Sequence, residues 1–356
     1  PHTAPGVPHP QDRVAHPGEP RGWTHRPGPS ARGGVGQRRR GPRDAAAPAA
    51  GPPGEAPVSA GPGLYWFKGN THTHTWWSDG DSPPETVVKW YKDHGYQFLM
   101  LSDHNRLAEG ERWYQPKKNP AHQKAAALYE NTFGTQWVVK RGEGEEVEYR
   151  LKTFAEFREL FEVPGRFLLL QGEEISASFQ SRPVHVNGVN MVEAIKPQTG
   201  ETMVEAIENN VKVVAEQSAK YKRPMLAHVN HPNFRWAMTA EEMAPLKSDR
   251  FFEVYNGHSG VENYGDENRP SCERMWDIML TQRLAELGLP VMYGVATDDA
   301  HCYTRWGVGN TNPGRGWVVV RAAKLDPNEL VLAMQRGDFY ASTGVVLKDV
   351  RFEKNT

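Results

Sequence analysis

Thr71-His72-Thr73-His74-Thr75, followed by Ser78-Asp79-Gly80, is the stretch whose reading decides the fold. On a strand, successive side chains point to opposite faces, so His72 and His74 share one face about 6–7 Å apart. Two imidazoles there can hold one divalent ion, and Asp79, just past the strand end, can supply an oxygen. The lead-in Leu64-Tyr65-Trp66-Phe67 reads as the strand itself. Alone, the motif also fits two surface histidines on a loop. It does not stand alone, because Asp299-Ala300-His301 repeats the i, i+2 arrangement after another apolar run, Val291 to Val295.

The same relation recurs along the chain. Asp103-His104 follows Phe98 to Leu101, and Glu173-Glu174 follows Phe167 to Leu170. His228 and His231 follow Met225 to Ala227, while Asn256 and His258 follow Phe251 to Val254. His185 sits inside a short Val-rich strand, 183–189. Between the apolar runs lie helix candidates with start signals: Ser82-Pro83-Pro84-Glu85, Thr239-Ala240-Glu241-Glu242 and Asp326-Pro327-Asn328-Glu329. Helical periodicity also covers 202–221 and 270–287. Strand–helix alternation over nearly the whole segment from residue 63 predicts an α/β fold, either a barrel or a doubly wound sheet. Ligand-type residues at one strand end after another favour the barrel, whose parallel strands open their C-termini on a single face.

Composition bounds the rest. The 356 residues carry a formal net charge of −1, which argues against binding nucleic acid. Two cysteines, Cys272 and Cys302, leave any metal site to nitrogen and oxygen ligands. No apolar run approaches the ~18–20 residues that would span a membrane. Residues 1–62 are rich in Pro, Gly and Arg; the first 60 hold 13 of the 28 prolines and lack Leu, Ile, Phe, Met and Tyr. Such a segment is expected to be disordered. Arg38-Arg39-Arg40 is followed by no apolar stretch, so no signal peptide is visible and a cytoplasmic location is the default expectation. Residues 63–356 form the expected barrel, with an aromatic and charged insertion at about 106–165.

With HTH…SDG at 72–80, LSDHN at 101–105, QGEE at 171–174, PVHVNG at 183–188, HVNHPN at 228–233 and TDDAH at 297–301, the chain resembles the PHP (polymerase and histidinol phosphatase) metallohydrolases over roughly 64–350. The resemblance implies a distorted (β/α)7 TIM-like barrel with two to three divalent ions. It also implies the ligands His72, His74, Asp79, His104, Glu174, His185, Asp299 and His301. It departs from the family where His228 and His231 compete for one position. The strand end favours His228, and the proline after His231, by forcing an extended backbone, favours His231.

Imidazole with carboxylate suits Zn, Mn or Fe rather than Mg or Ca. Clustered ions generate a hydroxide near neutral pH, and Glu174 can bridge two of them. The activity implied is hydrolysis of a small phosphorylated substrate. Alternatives are cleavage of a carboxylic ester, carbamate or amide, or a non-catalytic metal-binding module. Asp103 is read as orienting His104 or a neighbouring ligand, His258 as a proton donor to a leaving group, and Arg315, with Arg182, Arg235 and Arg305, as a cation for phosphate. Asp298 fits either support of a ligand or a strand-end cap. Trp76-Trp77 suggests an aromatic wall beside the site, and the insertion suggests a lid. Because residues 1–60 lack core-forming side chains, their deletion is expected to leave metal content, turnover and melting temperature unchanged. A clear fall in any of the three shows that the tail docks on the folded part.

Overall fold

The computed structural model describes residues 56–116, 119–347 and 350. The disorder expected of the tail therefore concerns, up to residue 55, positions outside the described residues. The folded chain begins before residue 63, because Val58–Ser59 (β1) pairs antiparallel with Tyr65–Asn70 (β2). Further strands are β3 (Phe98–Leu101), β4 (Trp113–Tyr114), β5 (Lys140–Arg141), β6 (Glu148–Arg150) and β7 (Leu168–Phe179). They continue as β8 (Arg182–Val189), β9 (Leu226–Val229), β10 (Phe251–Asn256), β11 (Tyr293–Thr297), β12 (Trp317–Ala322) and β13 (Phe339–Ser342). The α-helices are α1 (Pro84–Asp93), α2 (Pro120–Trp137), α3 (Phe154–Phe161), α4 (Met203–Tyr221), α5 (Ala240–Met243), α6 (Cys272–Thr281) and α7 (Pro327–Arg336). None is long and apolar enough to cross a membrane.

One sheet runs β11-β10-β9-β8-β7-β3-β2-β12-β13, with β1 beside β2, and it curls into a nearly closed barrel. The strands β2, β3 and β7 are parallel, as are β9, β10 and β11. The barrel is not parallel throughout, however: β8 is antiparallel to both neighbours and β12 is antiparallel to β2. The cause at β8 is a two-residue hairpin turn, Gln180 and Ser181, whose φ values of 49 and 65 give the twist that joins antiparallel strands. Closure comes at the rim, where the chain beyond β2 bridges the chain beyond β11. There Thr73 pairs with Ala300, His74 N–H donates to Ala300 O at 3.0 Å, and Asp299 N–H donates to His72 O at 2.9 Å.

Alternation along β3 shows how the core divides. Phe98 and Met100 join Phe67, Leu170, Val295 and Val318 in one cluster, which α7 covers with Leu330 and Met334. Leu99 and Leu101, on the opposite face, pack with α1, α2 and α3. Thr239 and Asp326 cap their helices as the sequence predicts. Ser82 does not: α1 starts after Pro83, and the Ser82 hydroxyl donates instead to Asp81. Within 106–165, β4, β5 and β6 make a small separate sheet. Trp76 stacks on Tyr114 with ring centroids 4.5 Å apart, and Trp77 donates to Lys152 O. Both tryptophans are buried in the core shared with this segment, so the expected aromatic wall does not form.

Two features fix the loop that carries Asp79. A Cβ on Gly80 would lie 2.6 Å from the His74 carbonyl carbon, so only glycine permits the chain to fold back so closely. Asp81 then accepts from Tyr303 N–H at 2.9 Å, from Thr304 N–H at 3.3 Å and from the Thr304 hydroxyl at 2.6 Å. Replacing Asp81 by Ala leaves these buried donors unpaired. The unfolding free energy in denaturant is expected to fall by about 2–4 kcal/mol; a loss under about 0.5 kcal/mol shows that the clamp is dispensable.

Candidate metal centre

The chain beyond β2 carries His72 and His74 into the barrel mouth, where both are fully buried. Their Nε2 atoms lie 3.2 and 3.0 Å from Asp299 Oδ1. None of these three buried atoms has a hydrogen-bond partner. Polar atoms left unpaired in the interior cost about 1–3 kcal/mol each. Around a tetrahedral ion with bonds of 2.0–2.1 Å, neighbouring ligand atoms stand about 3.4 Å apart, close to the spacing found here. The donor set and its spacing therefore fit a divalent cation.

Glu174, midway along β7 and just beyond the part that pairs with β3, ties this group to two others. Its Oε1 is 3.4 Å from His72 Nε2, 3.1 Å from His231 Nε2 and 3.0 Å from His185 Nδ1. Its Oε2 is 2.8 Å from His104 Nδ1. Burial alone would favour the neutral acid, but His185, His72 and His104 hold the carboxyl well below the usual range. On the outer side Asp79, exposed, stands 3.3–3.5 Å from His74, His104 and His301. The structure thus gathers four overlapping sets of His, Asp and Glu atoms, each within 4.8 Å: His74, Asp79, His104 and His301; His72, Glu174 and His231; His72, His74 and Asp299; and His104, Glu174 and His185.

His185 reaches this mouth although β8 runs antiparallel, because the N-terminal end of β8 lies beside the C-terminal end of β7, where it pairs with Ser176. His231, Asp299 and Asn105 have φ values of 27, 46 and 53, a region costly for residues other than glycine. The expected extended backbone before Pro232 is not adopted at His231. Its position comes instead from a bond between its N–H and Glu253 Oε2 at 2.7 Å.

His228 belongs to none of the four sets. Its Nε2 lies 3.2 Å from the Thr71 hydroxyl, and burial pushes its pKa down to about 4, so it is neutral. Asp103 supports the neighbouring His74 rather than His104, through Ser78, whose hydroxyl lies 3.2 Å from His74 Nδ1. It accepts from Thr75 N–H at 2.8 Å, from the Thr75 hydroxyl at 2.8 Å and from the Ser78 hydroxyl at 2.6 Å, fixing the turn after His74. Asp298 is a cap, accepting from Tyr91 and from the backbone N–H groups of Gly314, Arg315 and Gly316. His258 is half-buried at the edge of the site, its ring 5.3 Å from that of His301. Arg315 donates to Gly257 O in the same loop. Arg182 is paired with Glu242, Arg235 lies over Phe234 and Arg305 is exposed.

Three residues, Glu253, Asn230 and Ser176, escape the sequence reading, which places Asn256 after the Phe251 to Val254 run but gives it no role. Glu253, Asn256 and Asn230 hold candidate ligand residues from behind: His72 donates to Glu253, Asn256 to Asp299 Oδ2 and Asn230 to Glu174 Oε1. Ser176 lies 2.5 Å from His104 Nδ1. One signal was readable, a lone acid within Phe251-Phe252-Glu253-Val254. A separate cleft of about 810 Å³ beside α3, lined by Phe154, Arg158, Gln171 and Arg223 among others, includes none of the ligand residues.

No family model matches this chain. No curated protein matches it either. Among solved structures it is similar to a two-domain protein from Bacteroides vulgatus described as containing a predicted PHP-like metal-dependent phosphoesterase. Identity there is 15%, the TM-score is 0.44, and the match covers 83% of this chain and 69% of the other. PsfC from Pseudomonas syringae is 9% identical, with a TM-score of 0.36 over 76% of this chain and 87% of its own. An amidohydrolase from Chromobacterium violaceum, with bound sulfate and no metal, is 12% identical, with a TM-score of 0.31 over 68% and 93%. Likenesses of this size leave the reading of the site to its own geometry.

The two histidines of the doubled motif should separate by experiment. His231→Ala is expected to lower bound metal by about one ion per chain and activity by orders of magnitude. His228→Ala is expected to keep the metal and lose about 10–100-fold in rate. Elemental analysis with steady-state rates decides, and the reverse result exchanges the two residues.

Proposed function

We propose that this chain is a PHP-type metal-dependent hydrolase acting on a small phosphorylated substrate. In this reading His72, His74, Asp79, His104, Glu174, His185, His231, Asp299 and His301 hold two to three divalent ions of the Zn, Mn or Fe kind. The observation that carries the reading is the convergence of three buried, unpartnered ligand atoms, His72 Nε2, His74 Nε2 and Asp299 Oδ1. A packed core has no use for such a group, whereas a cation satisfies all three at once.

When bound, the ions supply a nucleophile at neutral pH and offset negative charge developing in the transition state. The remaining work falls to side chains at the rim. Gly260 N–H donates to His258 Nδ1 at 2.9 Å, so a neutral His258 carries its proton on Nε2. Burial pushes its pKa down to about 4, which keeps the ring neutral at pH 7. His258 then serves as a hydrogen-bond donor to a substrate or leaving-group oxygen. Arg315 bonds Gly257 O through Nη1 at 3.0 Å, which anchors the guanidinium beside the same loop and leaves Nη2 to meet an anionic oxygen. Asp103 takes no direct part in this scheme, its oxygens being committed to Thr75 and Ser78.

Protein stripped with chelator and reloaded with Mn²⁺ or Zn²⁺ is expected to hold two to three ions. It is expected to hydrolyse p-nitrophenyl phosphate at least about tenfold faster than p-nitrophenyl acetate, and to lose both activities on stripping. One ion or fewer per chain speaks against the multinuclear site. Metal-dependent hydrolysis of the acetate alone transfers the assignment to carboxylic ester, carbamate or amide substrates.

A further inference from the structure

Glu253 lies in the middle of β10, fully buried between Phe252 and Val254 in sequence, where an acid has no place unless its charge is met. Each of its oxygens meets two donors. Oε1 accepts from His72 Nδ1–H at 2.6 Å and from the Thr297 hydroxyl at 2.7 Å. Oε2 accepts from His231 N–H at 2.7 Å and from Asn256 Nδ2 at 2.8 Å. An ionised carboxylate offers about four lone-pair sites, and all are filled. Asn256 Nδ2 in turn lies 3.2 Å from Asp299 Oδ2.

Resting on the metal reading above, we infer that Glu253 is a positioning residue through which one carboxylate aligns three candidate ligands carried by different segments: His72 after β2, His231 after β9 and Asp299 after β11. The reasoning for each is local. A carboxylate that only accepts requires His72 to carry its proton on Nδ1, which leaves the Nε2 lone pair directed at Asp299 and Glu174. The bond to His231 N–H restrains a backbone in a costly conformation, φ 27, that the following proline does not favour. The shared Asn256 amide passes the alignment on to Asp299. A purely structural Glu253–His72 pair would need none of the bonds to His231 and Asn256.

The test uses Glu253→Gln. Glutamine keeps the volume but presents an NH2 group where two acceptor sites stood, so at least one of the four donors loses its partner. Calorimetric titration of Mn²⁺ into the metal-free full chain should show two to three ions in the wild type. In the variant, binding of the ion or ions that use His72 and His231 is expected to weaken about 10–100-fold. Circular dichroism of both metal-free proteins verifies that the fold is kept. A second measurement does not depend on the variant folding: in the Zn²⁺-loaded wild type, the long-range 1H–15N spectrum of His72 should show a proton on Nδ1 and none on Nε2. A folded Glu253→Gln protein with wild-type Mn²⁺ affinity, or a His72 lacking the Nδ1 proton, overturns the inference while leaving the metal reading intact. Absence of Mn²⁺ uptake by the wild type overturns the metal reading and this inference with it.

Discussion

A carboxylate sealed inside a barrel keeps its charge only if positive or proton-donating groups surround it, and Glu174 sets that condition for the whole mouth. Removing an ion of this size from water costs several kcal/mol even after the protein relaxes. Imidazoles from His72, His104, His185 and His231 stand within 3.4 Å of its two oxygens. They reach it only because the strands run past the ordinary rim. Thr73 bridges Ala300 and His104 bridges Glu174, both in parallel register beyond the regular ladders. The extension of the strands and the charge on Glu174 are thus one problem with one solution.

The acids beside the ligands follow from the same geometry. In an extended chain adjacent side chains point opposite ways. Glu173, Asp103 and Asp298 each precede a residue that faces the site, and each turns outward to hold backbone. Glu173 accepts from Ile195 N–H, Asp103 from Thr75 N–H and Asp298 from three successive N–H groups at 314–316. Asp81 does the same for Tyr303 and Thr304. The loops round the mouth are therefore pinned by carboxylates on the outward face, while on the inward face His72 Nε2, His74 Nε2 and Asp299 Oδ1 remain without hydrogen-bond partners. The strain recorded at His231 and Asp299 is sustainable only in loops held this firmly.

This division explains what could be read from the amino-acid sequence. Strand–helix alternation and the recurring histidines after apolar runs pointed to a barrel with a polar mouth, and the curled sheet is that barrel. The antiparallel course of β8 was hidden, because Gln180 and Ser181 are not the Gly or Asn that usually mark a tight hairpin. Asp103 was legible as support for His104 or a neighbouring ligand, but a two-residue motif does not say which face each member takes, so its hold on the turn after His74 was not. Trp76 and Trp77 looked like a wall because sequence proximity to His74 says nothing about which side of the chain the insertion covers. Glu253 was swallowed by its apolar neighbours. What the sequence could not carry was contact between distant segments, and the support behind the ligands consists of little else.

The rim seam between Thr73 and Ala300 spans 227 positions of chain. During synthesis from the N-terminus, the HTH segment is made long before the Asp299-Ala300-His301 segment exists. Loop closure over such a distance must be accomplished before any contact across the seam is gained. The seam is accordingly an entropically costly contact of the mouth to form. A chain interrupted before residue 299 keeps the residues of the His72, Glu174 and His231 set and of the His104, Glu174 and His185 set, but lacks the Asp299 oxygen that stands between His72 and His74.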